Sequence, residues 1–315
     1  MSAPRGIGLS RRAFARGVCS SVLLTLAVSG LGAENSLMDG TPFGRILAAG
    51  DSRVMILGRS GEVVWEYPTK LTHDVWMLSG GNVLFADGDS VTEVTPEKKV
   101  VFQYRSAEQK GGGAYACQRL ADGNTAIGEN STGRVLEVNA AGGVVFALQT
   151  APARIGEHHN MRMARKLENG NYLVCHSGAG LVKEYTPKGD VALELKAPGS
   201  LAFAAIRTPR GTTLVSSLDQ VTEFDAAGKK TWEFSRKELV GASVRNMTGM
   251  HLLPNGDLAI GCYQAYSDGQ GCGLLEISRE KKRVWCYHNP AGDNTMMAVE
   301  MLTPEGRALP GPCLR

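Results

Sequence analysis

A phrase that returns about every forty residues constrains this chain more than any other feature. It reads HDVWMLSGGNVLFAD from His73, AYACQRLADGNTAIGE from Ala114 and NMRMARKLENGNYLVCH from Asn160. It comes again as AFAAIRTPRGTTLVS from Ala202 and MTGMHLLPNGDLAIG from Met247. Each copy is a short apolar run, a polar turn ending in glycine, and a second apolar run. The turn glycines Gly81, Gly123, Gly170, Gly211 and Gly256 are spaced 42, 47, 41 and 45 residues apart. A period of this size, built from strand-turn-strand units, belongs to propellers and solenoids.

Two further phrases complete each period. One is a turn followed by an alternating β-branched and aromatic strand, as in GEVVWEY from Gly61, EKKVVFQY from Glu97 and GKKTWEF from Gly228. That pattern suits a half-buried outer strand. Between them lies a third short strand: VTEVTP, RVLEVNA, LVKEYTP, VTEFDAA, LLEISRE. Four strands per period make one propeller blade. Five blades are whole; the sixth is split between a segment from Arg45 and a segment from Thr295. Pairing the two ends closes the ring and removes the free sheet edges, which would otherwise invite aggregation. The expectation is an all-β, six-bladed propeller of four-stranded blades spanning residues 44–303, preceded by a linker at 34–43 and followed by a tail at 304–315. Its abundant glycine (39 residues) fits a turn-rich all-β chain.

Residues 1–33 read as an export signal rather than as part of the fold. Ser10-Arg11-Arg12-Ala13-Phe14 precedes a short apolar run through Leu26 to Ala33 and resembles a twin-arginine leader. The expected location is periplasmic or secreted, with no stable membrane anchor once the signal is removed. In such a compartment disulfides form. Six of the seven cysteines lie beyond the leader, and Cys262 and Cys272, flanking the insertion YQAYSDGQG, are the best local pair. No CxxC or clustered histidine spacing is present, so no metal site is expected. Asp87, Asp89, Glu129 and Asp219 place carboxylates on neighbouring loops without forming a contiguous calcium loop. The net charge of +3 is scattered over turns, so no nucleic acid partner is expected.

Propeller ligands bind where the loops around the central channel converge. Four of the six histidines, His73, His158, His159 and His176, map to one rim of the channel. His159, His73 and Arg162 are the candidate catalytic residues: imidazole serves as base or nucleophile, and arginine as a planar anion clamp. Asp74, Tyr115, His158, Asn160, His176, Asn246 and Asn294 are candidate ligand-binding residues on the same rim. His251 falls at the strand offset of Trp76 and Ile206, which predicts a packing position between blades. Polar side chains at a strand mouth also serve simply to satisfy backbone groups, so the cluster has a purely structural reading as well.

The repeats resemble the pyrroloquinoline-quinone-like propeller superfamily. The phrase Gly61-Glu62-Val63-Val64-Trp65 is similar to its blade signature. The inner phrase, as in Leu252-Leu253-Pro254-Asn255-Gly256-Asp257, is similar to that of the arylsulfotransferase-like six-bladed branch. The resemblance covers nearly all of the chain beyond the leader. It implies a periplasmic six-bladed propeller in which channel histidines and an arginine carry sulfuryl transfer, with His73, His159 and Arg162 in broadly matching places. The quinone itself is not expected, because this chain has no adjacent cysteine pair. Two functions stand open: a noncatalytic propeller binding a protein, peptide, glycan or small anionic ligand, and a transferase or hydrolase acting on an anionic group.

Overall fold

A computed structural model describes residues 38–50, 52–264, 271–288 and 295–315. Among them the chain forms six antiparallel sheets and only two short 3-10 turns, Ser177–Ala179 and Arg236–Glu238. Blade 1 holds Met296–Met301, Ile46–Gly50, Arg53–Leu57 and Val63–Pro68. Blades 2 to 5 follow in strict chain order, beginning with Asp74–Met77, Ala114–Arg119, Met163–Lys166 and Ala204–Arg207. Blade 6 begins with Asn246–Leu252 and ends with Arg283–Tyr287.

Closure occurs as the sequence predicts. Ile46 faces Met301, Ala48 faces Val299, and Gly50 faces Met296 across a register shift. Glycine is required at that shift, since a Cβ on Gly50 would lie 1.8 Å from the Thr295 carbonyl oxygen. The first three strands of each blade are short and largely buried on both faces because each blade packs against two neighbours. Ile46, Ala48 and Met55 of blade 1 pack with Ala259, Leu274 and Trp285 of blade 6. Fourth strands are more exposed and open on adjacent surface valines, Val63 and Val64 in blade 1 and Val144 and Val145 in blade 3.

The glutamate in the third-strand phrase of blades 2 to 5 is a repeated tie between blades. Glu137 accepts from Lys166 Nζ at 2.5 Å, Glu184 from Arg207 at 2.7 Å and Glu223 from Arg279 at 2.5 Å, in each case a partner from the following blade. The outer-strand tryptophans act similarly. Trp65 Nε1 donates to Pro96 O and Trp232 Nε1 to Arg279 O. A register shift follows each of these glutamates, which kinks the strand there.

Three expectations need correction. The stretch read as linker contains a strand: Met38–Asp39 pairs with Cys286 and Tyr287 and adds a fifth strand to blade 6. The stretch read as a tail is packed into the ring, with Leu252 N donating to Leu314 O and the Arg315 side chain buried in the channel. The disulfide joins Cys272 to Cys286, not Cys262 to Cys272. Cys272 lies just before the strand Leu274–Ile277 and Cys286 within the neighbouring Arg283–Tyr287, and strand pairing inside blade 6 brings them together, while Cys262 stays a buried thiol beside them in the same apolar cluster. His251 sits between blades as expected, its Nδ1 accepting from Met301 N at 3.0 Å.

Candidate functional site

The first strand of each blade lines the channel, so its side chains and those of the loop leading into it converge on the axis. Blade 4 supplies His158, His159 and Arg162 from the lead-in and Arg165 from the strand itself; blade 2 supplies His73 and Asp74; blade 3 supplies Tyr115. Of these, His73, Asp74, Arg162 and Arg165 line a cavity of about 410 Å³, counting the part open to solvent, whose walls also include Phe203, Thr248, Met250, Met297 and Arg315. Tyr115, His158 and His159 gather around Arg162 beside it.

Arg162 is the centre of the mouth. Its guanidinium NH2 donates to His158 Nε2 at 2.9 Å and to His159 Nδ1 at 3.3 Å, while NH1 approaches His73 Nε2 at 3.5 Å. It lies 4.8 Å above the Tyr115 ring. Among the described residues its side-chain partners include no carboxylate. A buried guanidinium normally pairs with an anion, because desolvating a lone cation costs several kcal/mol (order of magnitude). Here burial lowers the Arg162 pKa.

The same field keeps the imidazoles neutral. Burial, then the charge of Arg162, push His73 well below its ordinary value and lower His158 and His159. Since guanidinium only donates, each ring nitrogen facing it carries a lone pair. His158 Nδ1 therefore bears the proton and donates to Gly111 O at 3.0 Å, with the Tyr115 hydroxyl 2.9 Å away. By the same logic His159 presents Nε2–H outward and His73 keeps its proton on Nδ1. His73 Nδ1 and Arg162 Nε are buried with no hydrogen-bond partner. Among the described residues the mouth thus offers several N–H donors and a positive charge with no carboxylate partner.

Deeper in the channel the arginines are fully paired. Asp74 accepts from Arg165 NH1 and NH2 at 2.7 and 3.0 Å, from Arg315 NH2 at 3.4 Å and from Cys117 N at 3.0 Å. Glu300 accepts from Arg315 NH1 at 3.1 Å and from Met77 N at 2.9 Å. Arg165 and Arg315 also lie over the Trp76 ring, at 5.0 and 4.7 Å. Arg165 Nε donates to Arg315 O at 3.0 Å, which fastens the tail.

Of the residues expected at the rim, His73, Tyr115, His158, His159 and Arg162 come together. Asp74 does not serve as a rim ligand; it is the counterion of the deep pair. Asn160 is a loop brace, donating to Asn130 O and Arg154 O and accepting from Arg154 N. His176 turns away from the mouth and is buried against Tyr185, whose hydroxyl is 2.8 Å from its Nε2. Asn246 donates to Tyr263 O within its own hairpin. Asn294 lies outside the described residues. Arg165 and Arg315 escaped the sequence reading. Arg165 was visible as a charge in an otherwise apolar inner strand, whereas nothing in the tail marked Arg315.

No protein-family profile matches the chain, and no curated protein sequence is similar to it at a significant level. Solved structures are similar in fold. A protein of unknown function from Bacteroides caccae has a TM-score of 0.71 at 22% identity, covering 83% of this chain and 98% of its own. A streptogramin B lyase follows with a TM-score of 0.58 at 12% identity, covering 88% of this chain and 90% of its own. A virginiamycin B lyase from Staphylococcus aureus has a TM-score of 0.54 at 12% identity, covering 83% and 87%. At these identities the likeness speaks to the fold alone, and the count of six blades rests on this chain's own six sheets.

Proposed function

We propose that this chain is an exported propeller that binds, at its channel mouth, a ligand bearing an anionic group. The observation that carries the proposal is Arg162: a buried cation whose described side-chain partners are neutral imidazoles and an aromatic ring. A sulfate, phosphate or carboxylate would take two guanidinium N–H groups at once, a bidentate geometry that lysine cannot reproduce. The outward Nε2–H of His159 and the unpartnered Nδ1–H of His73 supply further donors. The anionic group belongs to a small molecule, glycan or peptide; a scattered surface charge gives nucleic acid no place in this reading. Among the described residues no helix is long and apolar enough to cross a membrane. The leader-like start supports a periplasmic or secreted location.

A second reading has one specific observation in its favour. An anion that takes over the Arg162 N–H groups releases the lone pair on His159 Nδ1, next to the bound group. His159 would then act as base or nucleophile, with Arg162 holding the developing negative charge. This is the arylsulfotransferase-like reading, and two of the similar propellers are lyases.

Calorimetric titration of the mature protein with sulfate, phosphate and aromatic carboxylates, repeated on Arg162→Met, tests the binding proposal. Saturable binding lost in the variant supports it; equal binding by both proteins removes it. A turnover screen for sulfuryl transfer and ester hydrolysis on wild type and His159→Ala separates the two readings. Turnover by wild type alone selects catalysis.

A further inference from the structure

A second cluster lies in blade 6, on strands remote in sequence from the His-Arg mouth. Cys272 Sγ, Cys286 Sγ and His288 Nε2 all lie within 4.8 Å of one another. Cys272 and Cys286 are joined by the disulfide and fully buried, while His288 is half-buried. The imidazole is held in one orientation. His288 Nδ1 donates to Gly271 O at 2.8 Å, so its proton is on that nitrogen. The Nε2 lone pair then points at Cys286 Sγ, 3.4 Å away. A histidine whose second nitrogen donates to a backbone carbonyl is the usual arrangement of a metal ligand, since that bond sets the tautomer and the ring angle. Two sulfurs and one imidazole nitrogen also match a three-ligand zinc set that leaves the fourth position to water. Thiolate and imidazole favour zinc over calcium or magnesium.

We infer that Cys272, Cys286 and His288 form a redox-gated binding site for a thiophilic divalent cation of the Zn²⁺ type, closed while the disulfide is intact and opened by its reduction. A dithiol reductant transfers two electrons and two protons to the Cys272–Cys286 bond and leaves as its own disulfide. Zinc then displaces the two thiol protons and forms two Zn–S bonds, the His288 Nε2 lone pair supplies the third bond, and water takes the fourth position. Reoxidation by a disulfide oxidant reverses the sequence: two electrons leave the thiolates, the S–S bond forms again, and the cation is released. In the oxidising compartment expected from the leader, the closed state dominates. The half-buried His288 is the route by which the cation reaches the sulfurs.

The test uses the mature protein before and after reduction with a water-soluble phosphine, which becomes its oxide. Each form is titrated with Co²⁺, read by thiolate-to-metal charge-transfer absorption, and with Zn²⁺ in competition against a chromophoric chelator. Circular dichroism monitors the fold throughout. The reduced protein should bind one cation with the thiolate signature, and the oxidised protein none. His288→Ala keeps the disulfide and the fold, and should weaken binding at least about 10-fold, the loss that even an outer-shell partner causes. Cys286→Ser should abolish the charge-transfer band, whereas Cys262→Ser should retain it. The inference is overturned if the reduced folded protein binds no cation, or if His288→Ala binds as tightly as wild type. It is equally overturned if reduction alone unfolds the blade, because the site requires the paired strands.

Discussion

The mouth and the depth of the channel hold arginines of similar burial in opposite electrostatic settings. Arg165 and Arg315 share two carboxylates, Asp74 and Glu300, and every charge is answered within the protein. Arg162, on the same segment of blade 4, faces three imidazoles and a tyrosine ring instead. A closed ion network stabilises one arrangement of the ring and fastens the tail; a cation left open is stabilised only when a ligand arrives. Similar burial therefore means a structural role at one depth and a receptor role at the other.

Asp74→Ala should break the closed network most severely. It leaves Arg165 and part of Arg315 buried without a counterion, and the expected loss is about 3–5 kcal/mol of unfolding free energy in urea. A loss under about 1 kcal/mol, the range of exposed ion pairs, would erase the distinction between the two depths. Arg162→Met should behave in the opposite sense. Its stability should stay within about 1 kcal/mol of wild type or rise, because no carboxylate is orphaned. Anion affinity should fall about 10–100-fold, from the loss of charged hydrogen bonds worth about 1.5–3 kcal/mol.

Glu223→Ala extends the paired class to the blade interfaces. Burial pushes this carboxyl up, but bonds from Thr212, Arg279 and Arg210 outweigh it and hold the pKa below the usual carboxylate value. The wild-type stabilisation is therefore present above the unfolded carboxylate pKa and is lost as pH falls through the folded one. Removing the side chain should cost about 1–3 kcal/mol near neutral pH in the same unfolding assay.

Acid should separate the histidines. Burial, then the charge of Arg315, hold His251 at about 3, and burial, then Lys183, hold His176 at about 4, against an ordinary value of 6.5. Unfolded chains take up these protons first, so stability falls as pH drops below about 6.5, by about 1.4 kcal/mol per unit for each group until its folded pKa is reached. His176→Phe should reduce that slope in denaturation curves taken between neutral and mildly acid pH. At the mouth the sign is reversed for ligand affinity. A bound anion offsets Arg162 and raises the histidine pKa values, so binding takes up protons and calorimetric affinity should increase as pH falls. The smallest effect belongs to His159→Ala, which should change stability by less than about 0.5 kcal/mol because the side chain is exposed.

Local pattern carried most of the fold. The turn glycines, the third-strand glutamates and the outer tryptophans each repeat because each blade solves the same packing problem. The split blade was legible because the Thr295 segment and the Arg45 segment lacked complementary halves of one unit. The mouth was legible in part, since His73, His159 and Arg162 all precede or open inner strands. Asp74 and His176 were misplaced at the rim for one reason: strand alternation sends neighbouring residues to different surroundings. His73 reaches the mouth while Asp74, one residue later, meets Arg165.

The amino-acid pattern by itself determined the number of blades, the ring closure and which loops surround the channel, because these follow from strand periodicity and turn chemistry. Tertiary structure alone decided which charges are answered. Asp74 and Arg165 are 91 residues apart, and Asp74 and Arg315 are 241 apart. It likewise decided that Cys286 rather than Cys262 meets Cys272. The charge pairings depend on how the blades are set against one another and the disulfide on strand register within blade 6, and burial strengthens the ion pairs by removing the water that would screen them.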